Sequence, residues 1–140
     1  MIAVEADAYE LFRKGIELLA GHHPHQAATV LERARALAPR QGSVSEALGR
    51  AYYEAGRPAD AQVQFARVLE LDPTNDYAHF GLALCLSRAG ERVLALGHLR
   101  LALAMRPGVA AYEEALARVE RAVPGAGALP PQPGDDPGRG

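Results

Sequence analysis

Apolar positions along this chain recur at helical spacing, and the helices themselves recur every 34 residues. Val44, Ala47, Leu48 and Ala51 lie at i, i+3, i+4 and i+7, the stripe of an amphipathic helix. Prolines Pro39, Pro73 and Pro107 keep the 34-residue interval. So do the small residues Gly15, Gly49 and Ala83, and Ala27, Ala61 and Ala95. Large apolar residues follow at Leu18, Tyr52 and Leu86, at Leu31, Phe65 and Leu99, and at Leu37, Leu71 and Met105. Six columns that preserve residue size at one period predict a stack of identical supersecondary units. Each unit reads as two helices. A turn marked by Gly56, Gly90 and, in the first unit, His22-His23-Pro24 separates them. Pro24 and Pro58 then stand at the first helical position, where a missing N–H is harmless. The second helix stops ahead of Pro39, Pro73 or Pro107, because proline disfavours a helical residue before it. Small residues belong where the paired helices cross closely.

These columns resemble the tetratricopeptide repeat. The second unit carries the likeness best, with Leu48-Gly49, Ala51-Tyr52-Tyr53, Gly56, Ala61, Phe65 and Leu69-Glu70-Leu71-Asp72-Pro73. The likeness covers residues 8 to 109. It implies an all-α, right-handed superhelix of three helix-turn-helix repeats, with a concave groove lined by the first helix of each. The expected organisation is a lead-in at 1–7, then a repeat domain at 8–123 and a disordered Pro/Gly-rich tail at 124–140. Within the domain the repeats are 8–41, 42–75 and 76–109, followed by a capping helix at 109–122. His79 departs from the pattern, standing where the family has a large aromatic or aliphatic residue.

The ends of the array are also predicted. On the face of the first helix that would meet a preceding unit, the second unit has Val44, Leu48 and Ala51, and the third has Ala78, Leu82 and Cys85. The first has Glu10, Lys14 and Glu17. Burying three charges is prohibitive, so that face is expected to be wet and the array to start there. The last helix should turn Tyr112, Leu116, Val119 and Val123 inward and Glu113 and Glu120 outward, as a terminal repeat requires.

Composition narrows the function. Net charge is −2, and no helix shows a basic stripe, so nucleic acid is not an expected partner. No run of 18 apolar residues occurs and the amino terminus lacks a signal pattern, so a cytoplasmic protein without membrane contact is expected. Fourteen arginines against one lysine read as a GC-rich bacterial coding bias. The single cysteine, Cys85, falls on a packing column and reads as a small core residue. His22, His23 and His25 cluster in a turn, which reads as a polar surface turn before it reads as a metal site. His79 and His98 read as hydrogen-bonded near-core residues. There is no phosphate loop, nucleophile elbow or other catalytic constellation, so neither catalysis nor a cofactor is expected. The Pro-rich tail segment reads as solvated chain rather than a ligand for a proline-reading domain.

The resemblance implies which residues face the groove. They are Tyr9, Phe12, Ile16 and Leu19 from the first unit, Ser43, Glu46, Arg50, Tyr53 and Glu54 from the second, and Tyr77, Phe80, Leu84, Ser87 and Arg88 from the third. Five of the chain's eight aromatics are among them. Exposed aromatics flanked by arginine mark interaction surfaces. Family members that capture the acidic carboxyl terminus of heat-shock chaperones use lysines, asparagines and arginine. Here those places hold Phe12, Ile16, Ala47, Tyr77 and Gly81. The implied function is a scaffold that takes an apolar peptide or amphipathic helix of another protein, with Arg50 and Arg88 pairing its carboxylates. The alternative is a homodimer through the groove or the first helix.

Overall fold

The computed structural model describes the backbone of residues 2–125 and side chains from residue 7 onward. Among the described residues there are seven α-helices and no strand. They are α1 (Ile2–Ala20), α2 (Pro24–Leu37), α3 (Gly42–Glu54), α4 (Pro58–Leu71), α5 (Asp76–Arg88), α6 (Arg92–Met105) and α7 (Ala110–Ala122). The residues expected as a lead-in belong to α1, which starts at Ile2. Of the tail, residues 126–140 lie outside the described residues.

The punctuation residues act as their chemistry dictates. Pro24 and Pro58 open α2 and α4. The second helices end two residues ahead of Pro39, Pro73 and Pro107. At each intra-unit turn one residue takes a left-handed backbone: His22 at φ 62°, Gly56 at 79° and Gly90 at 86°. That conformation lets the amides of His23, Arg57 and Glu91 reach back to the carbonyls of Leu18, Tyr52 and Leu86, each at 2.8 Å. These bonds satisfy carbonyls that a helix end leaves orphaned.

Consecutive helices pack antiparallel down the chain. The first helices also touch one another, α1 on α3, α3 on α5 and α5 on α7, whereas the second helices do not meet. Crowded first helices and splayed second helices make the array concave on the first-helix side. One spine of buried side chains runs through it, from Leu19 and Leu31 past Leu48, Phe65 and Val68 to Leu99 and Val119. Glu10, Lys14 and Glu17 on the leading face of α1 are exposed. In α7, Tyr112 and Val119 are buried and Leu116 and Val123 half-buried, while Glu113 is exposed and Glu120 half-buried.

Residue size is matched between units. A Cβ at Gly15 would lie 2.5 Å from the Leu31 side chain, and one at Gly49 would lie 3.0 Å from the Phe65 ring. Phe65 also abuts Gly81 of the next unit, where a Cβ would fall 2.5 Å from Cζ. At the positions equivalent to Gly81, the units following Leu31 and Leu99 have Ala47 and Ala115, both buried. Leucine is thus matched by alanine, and the larger phenyl ring by glycine.

His79 also finds an answer. It is buried on α5, and its Nδ1 lies 3.0 Å from Nδ1 of His98 on α6, while Nε2 lies 2.9 Å from the Pro73 carbonyl oxygen. The carbonyl can only accept, so His79 carries its proton on Nε2. Its bare Nδ1 then accepts from His98 Nδ1–H. Burial, and then the neighbouring ring, hold the His98 pKa below its ordinary 6.5.

Candidate functional site

The first helices set the concave face, and their period places side chains three and four residues apart on it. Two adjoining hollows result. Phe12, Ile16, Glu46, Ala47, Arg50 and Tyr77 are among the lining of the first, which encloses about 240 Å³. Arg50, Tyr53, Tyr77, Phe80 and Leu84 are among the lining of the second, about 220 Å³. Arg50 and Tyr77 belong to both, so the hollows form one groove across three units.

Aromatic rings make its floor. Tyr77 stands edge-on to Phe65 and tilted to Phe80, with centroids 6.1 Å apart in each case. Phe80 leans on Tyr112 of α7 at 4.8 Å. Edge and tilted contacts of this kind stiffen a surface before anything binds it. The Tyr112 hydroxyl donates to Asp76 at 2.6 Å. Charges rim the floor. Arg50 pairs with Glu54 at 3.1 Å, one turn along the same helix. Arg88 lays its guanidinium over the Tyr53 ring, 4.7 Å from its centroid. Glu46 accepts a hydrogen bond from the Asn75 amide at 3.0 Å, tying the second unit to the start of α5. Burial raises the Tyr77 phenol pKa, with Arg50 opposing it, so this hydroxyl stays neutral beside the arginine.

Nine of the ten residues singled out as partner-binding line these hollows or one beside them. Tyr9 is the outlier among the nine. It is 62% exposed and shares with Phe12 a separate hollow at the front, against Val44 and Ala38. Arg88, the tenth, sits on the rim. Leu19, also expected to face the groove, lines the first hollow from below, 2% exposed and continuous with the core. The sequence reading missed Phe65, which lines the second hollow beside Gly81. Tyr112, assigned to packing, is buried in α7 against Phe80. Gly81, named above at a clamp position, is the only glycine in the column Ala47, Gly81, Ala115.

Elsewhere the chemistry is quiet. His22, His23 and His25 are exposed on their turn, and among the described residues no group of three or more His, Cys, Asp or Glu is arranged to hold a metal ion. Cys85 is buried, and burial pushes its thiol pKa up to about 11, away from reactivity. No described helix is long and apolar enough to cross a membrane.

A curved stack of antiparallel helix pairs with a groove along its first helices defines a helical-repeat protein. The sequence profile of the tetratricopeptide repeat matches residues 12–61 and 46–110, and the chain belongs to that family. Among curated proteins no sequence matches. Among solved structures, the Arabidopsis OM64 TPR domain superposes with a TM-score of 0.82 at 16% identity, over 86% of this chain and 99% of that one. The first TPR of Spaghetti (RPAP3), bound to the HSP90 peptide SRMEEVD, gives 0.80 at 14% identity, over 84% and 94%. The Yersinia enterocolitica type III secretion chaperone SycD, in complex with a peptide of the translocator YopD, gives 0.69 at 19%, over 81% and 86%. At these identities the likeness is one of fold.

Proposed function

We propose that this protein is a non-enzymatic, cytoplasmic interaction scaffold that holds an apolar peptide or amphipathic helix of a partner protein in its concave groove. One observation carries the reading: two hollows share Arg50 and Tyr77 and so form a continuous aromatic-floored track, with Glu46, Arg50 and Glu54 the charged residues of its lining. Relatives in fold that hold peptides of other proteins, an HSP90 peptide in one and a translocator peptide in another, support it. Each hollow has room for one large side chain of the ligand. Arg88 stacks on Tyr53 and has an exposed guanidinium with which to pair a ligand carboxylate. The partner-binding set is Tyr9, Phe12, Ile16, Glu46, Arg50, Tyr53, Tyr77, Phe80, Leu84 and Arg88. Neither nucleic acid nor membrane enters this reading. Self-association through α1 has less support, because Glu10, Lys14 and Glu17 would have to be desolvated there.

The test is selection of peptides from a random displayed library on the full chain. Selected sequences should carry two bulky apolar residues and, near one end, a carboxylate. Phe80→Ala together with Tyr53→Ala should weaken them by roughly 30-fold or more, as loss of two aromatic anchors does, with helicity unchanged by circular dichroism. The acidic peptide SRMEEVD should bind no better than a scrambled control. Selected peptides that bind the double variant as well as the parent would remove the groove from the account.

A further inference from the structure

α7 occupies the place of a first helix, and one repeat of 34 residues carries Leu84 onto Arg118 and Ser87 onto Arg121, so both arginines continue the concave face. Arg88, Arg118 and Arg121 are exposed, and among the described residues none of them pairs with a carboxylate. The carbonyls of a helix end favour a cation in the last turn, which accounts for Arg88 and Arg121. Arg118, a turn earlier, has no such reason. On the same face, Glu54 is already paired with Arg50, and Glu114 lies two turns below the end of α7. The groove therefore has a positive edge where α5 and α7 end.

The chain leaves α7 at that edge, and it does so unlike the other first helices. After α3 and α5 the backbone holds φ −79° and ψ 2° at Ala55 and φ −77° and ψ −3° at Ala89, then turns left-handed at Gly56 and Gly90 into the outer layer. One repeat on, Val123 is extended at φ −111° and ψ 109°, and Pro124 stands in the glycine place. Proline fixes φ at about −65°, so the left-handed turn is barred there. The turn that delivers a second helix is thus absent after α7.

We infer that the segment Leu129–Asp136, outside the described residues, is an intramolecular ligand of the groove that a partner must displace. Leu129 enters the hollow of Tyr53, Phe80 and Leu84, and Asp135 and Asp136 meet the arginine edge. This rests on the groove reading and adds its regulation. By itself the tail reads as solvated chain; the arginine edge and the exit from α7 give it a place to dock. Within residues 126–140, Leu129 is the one large apolar residue and Asp135 and Asp136 are the only acids. The segment thus carries the bulky side chain and the carboxylate that the groove takes. Its length suffices. First helices that touch have axes about 8–10 Å apart, which puts the hollow between α3 and α5 about 15 Å across from α7. From Val123 to Leu129 the chain spans up to about 20 Å, and the stretch from Leu129 to Asp135 can double back to the end of α5. Pro130, Pro131 and Pro133 have φ set in advance, so ordering them costs little entropy. Tethering gives an effective concentration on the order of millimolar, at which a weak contact is substantially occupied.

A spin label on the full chain at Gly134→Cys tests this, because Cys85 is buried and does not take the label. Docking should broaden the amide signals of Tyr53, Leu84 and Arg88 on the concave face well beyond that of Val93, which stands at the same end of the stack in the outer layer. Leu129→Ser with Asp135→Asn and Asp136→Asn should bring both faces to one level. Arg118→Gln with Arg121→Gln should reduce the concave broadening at least twofold. Peptides selected on the chain should bind the triple tail variant about two- to tenfold more tightly than the parent. Equal broadening of the two faces in the labelled parent overturns the inference, and so does broadening that the arginine variant leaves unchanged. Equal peptide affinity for the parent and the tail variant also overturns it. Broadening that passes only between chains, in a mixture of spin-labelled and isotope-labelled protein, overturns it in favour of a second copy. The groove reading fails separately, if selected peptides ignore Tyr53→Ala with Phe80→Ala whatever the tail residues are.

Discussion

Gly81→Ala is a one-methyl change whose sign depends on Phe65. In an open helix, glycine to alanine stabilises by about 1 kcal/mol. At Gly81 the new Cβ would stand 2.5 Å from Cζ, 2.6 Å from Cε1 and 2.7 Å from Cε2 of Phe65. The ring is hemmed by Gly49, where a Cβ would stand 3.0 Å away, and by Tyr77 edge-on to it. Relief requires the ring to tilt out of this packing or α5 to move against α4. Overpacking of this kind costs about 1–3 kcal/mol, which outweighs the helical gain. We expect a net loss of about 1–2 kcal/mol, a fall of several degrees in melting temperature. Phe65→Leu alone should also destabilise, by leaving a void between two glycines. Combined with Gly81→Ala it recreates the leucine–alanine match that Leu31 and Ala47 make one unit earlier. The pair should therefore be more stable than the sum of the singles by about 1 kcal/mol or more. Gly97→Ala is the control, with its Cβ in open space, and should stabilise the fold by up to about 1 kcal/mol. Urea midpoints of the four variants and the parent, measured at low micromolar concentration, decide the matter. A Gly81→Ala protein as stable as the parent, or strictly additive effects, would refute the wedge.

Other predictions address single features. His22 takes a left-handed backbone where the other units have glycine, so His22→Gly should raise the melting temperature by an amount equivalent to about 1 kcal/mol; no gain would mean the turn is unstrained. The Tyr52 hydroxyl donates to Glu32 at 2.6 Å. Burial first, then that bond, push its pKa from 10.0 up to about 12. Its contribution is therefore complete below pH 10 and lost as pH rises through about 12. Tyr52→Phe should cost about 1 kcal/mol at neutral pH and flatten the alkaline limb of a thermal-melt series. His98 is neutral in the fold with a lowered pKa, so its contribution is present above pH 6.5 and disappears as pH falls through the lowered value. His98→Gln should reduce the acid dependence of the urea midpoint between neutrality and pH 5, and an unchanged slope would exclude this pair as its source.

Much of this architecture was legible before any coordinates. The 34-residue columns located six of the seven helices in pairs, the prolines marked their ends, and the charge at Glu10, Lys14 and Glu17 predicted an exposed leading face. The candidate groove was legible only through the family likeness. Residues such as Tyr53 and Tyr77 are 24 apart, and no local pattern says that their side chains border one hollow. Leu19 shows the limit, since the groove register placed it at the hollow it lines but did not give its depth, which packing makes nearly complete.

Periodicity, proline and glycine are local signals, because helix formation and termination depend on neighbours within a turn or two, and those signals determined the elements and their repeat. Contacts between helices depend on how each rotates and slides against the next, which only the assembled stack decides. That is why the Phe65 wedge between Gly49 and Gly81 and the bonding of His79 to His98 rather than to other partners emerged from tertiary structure alone.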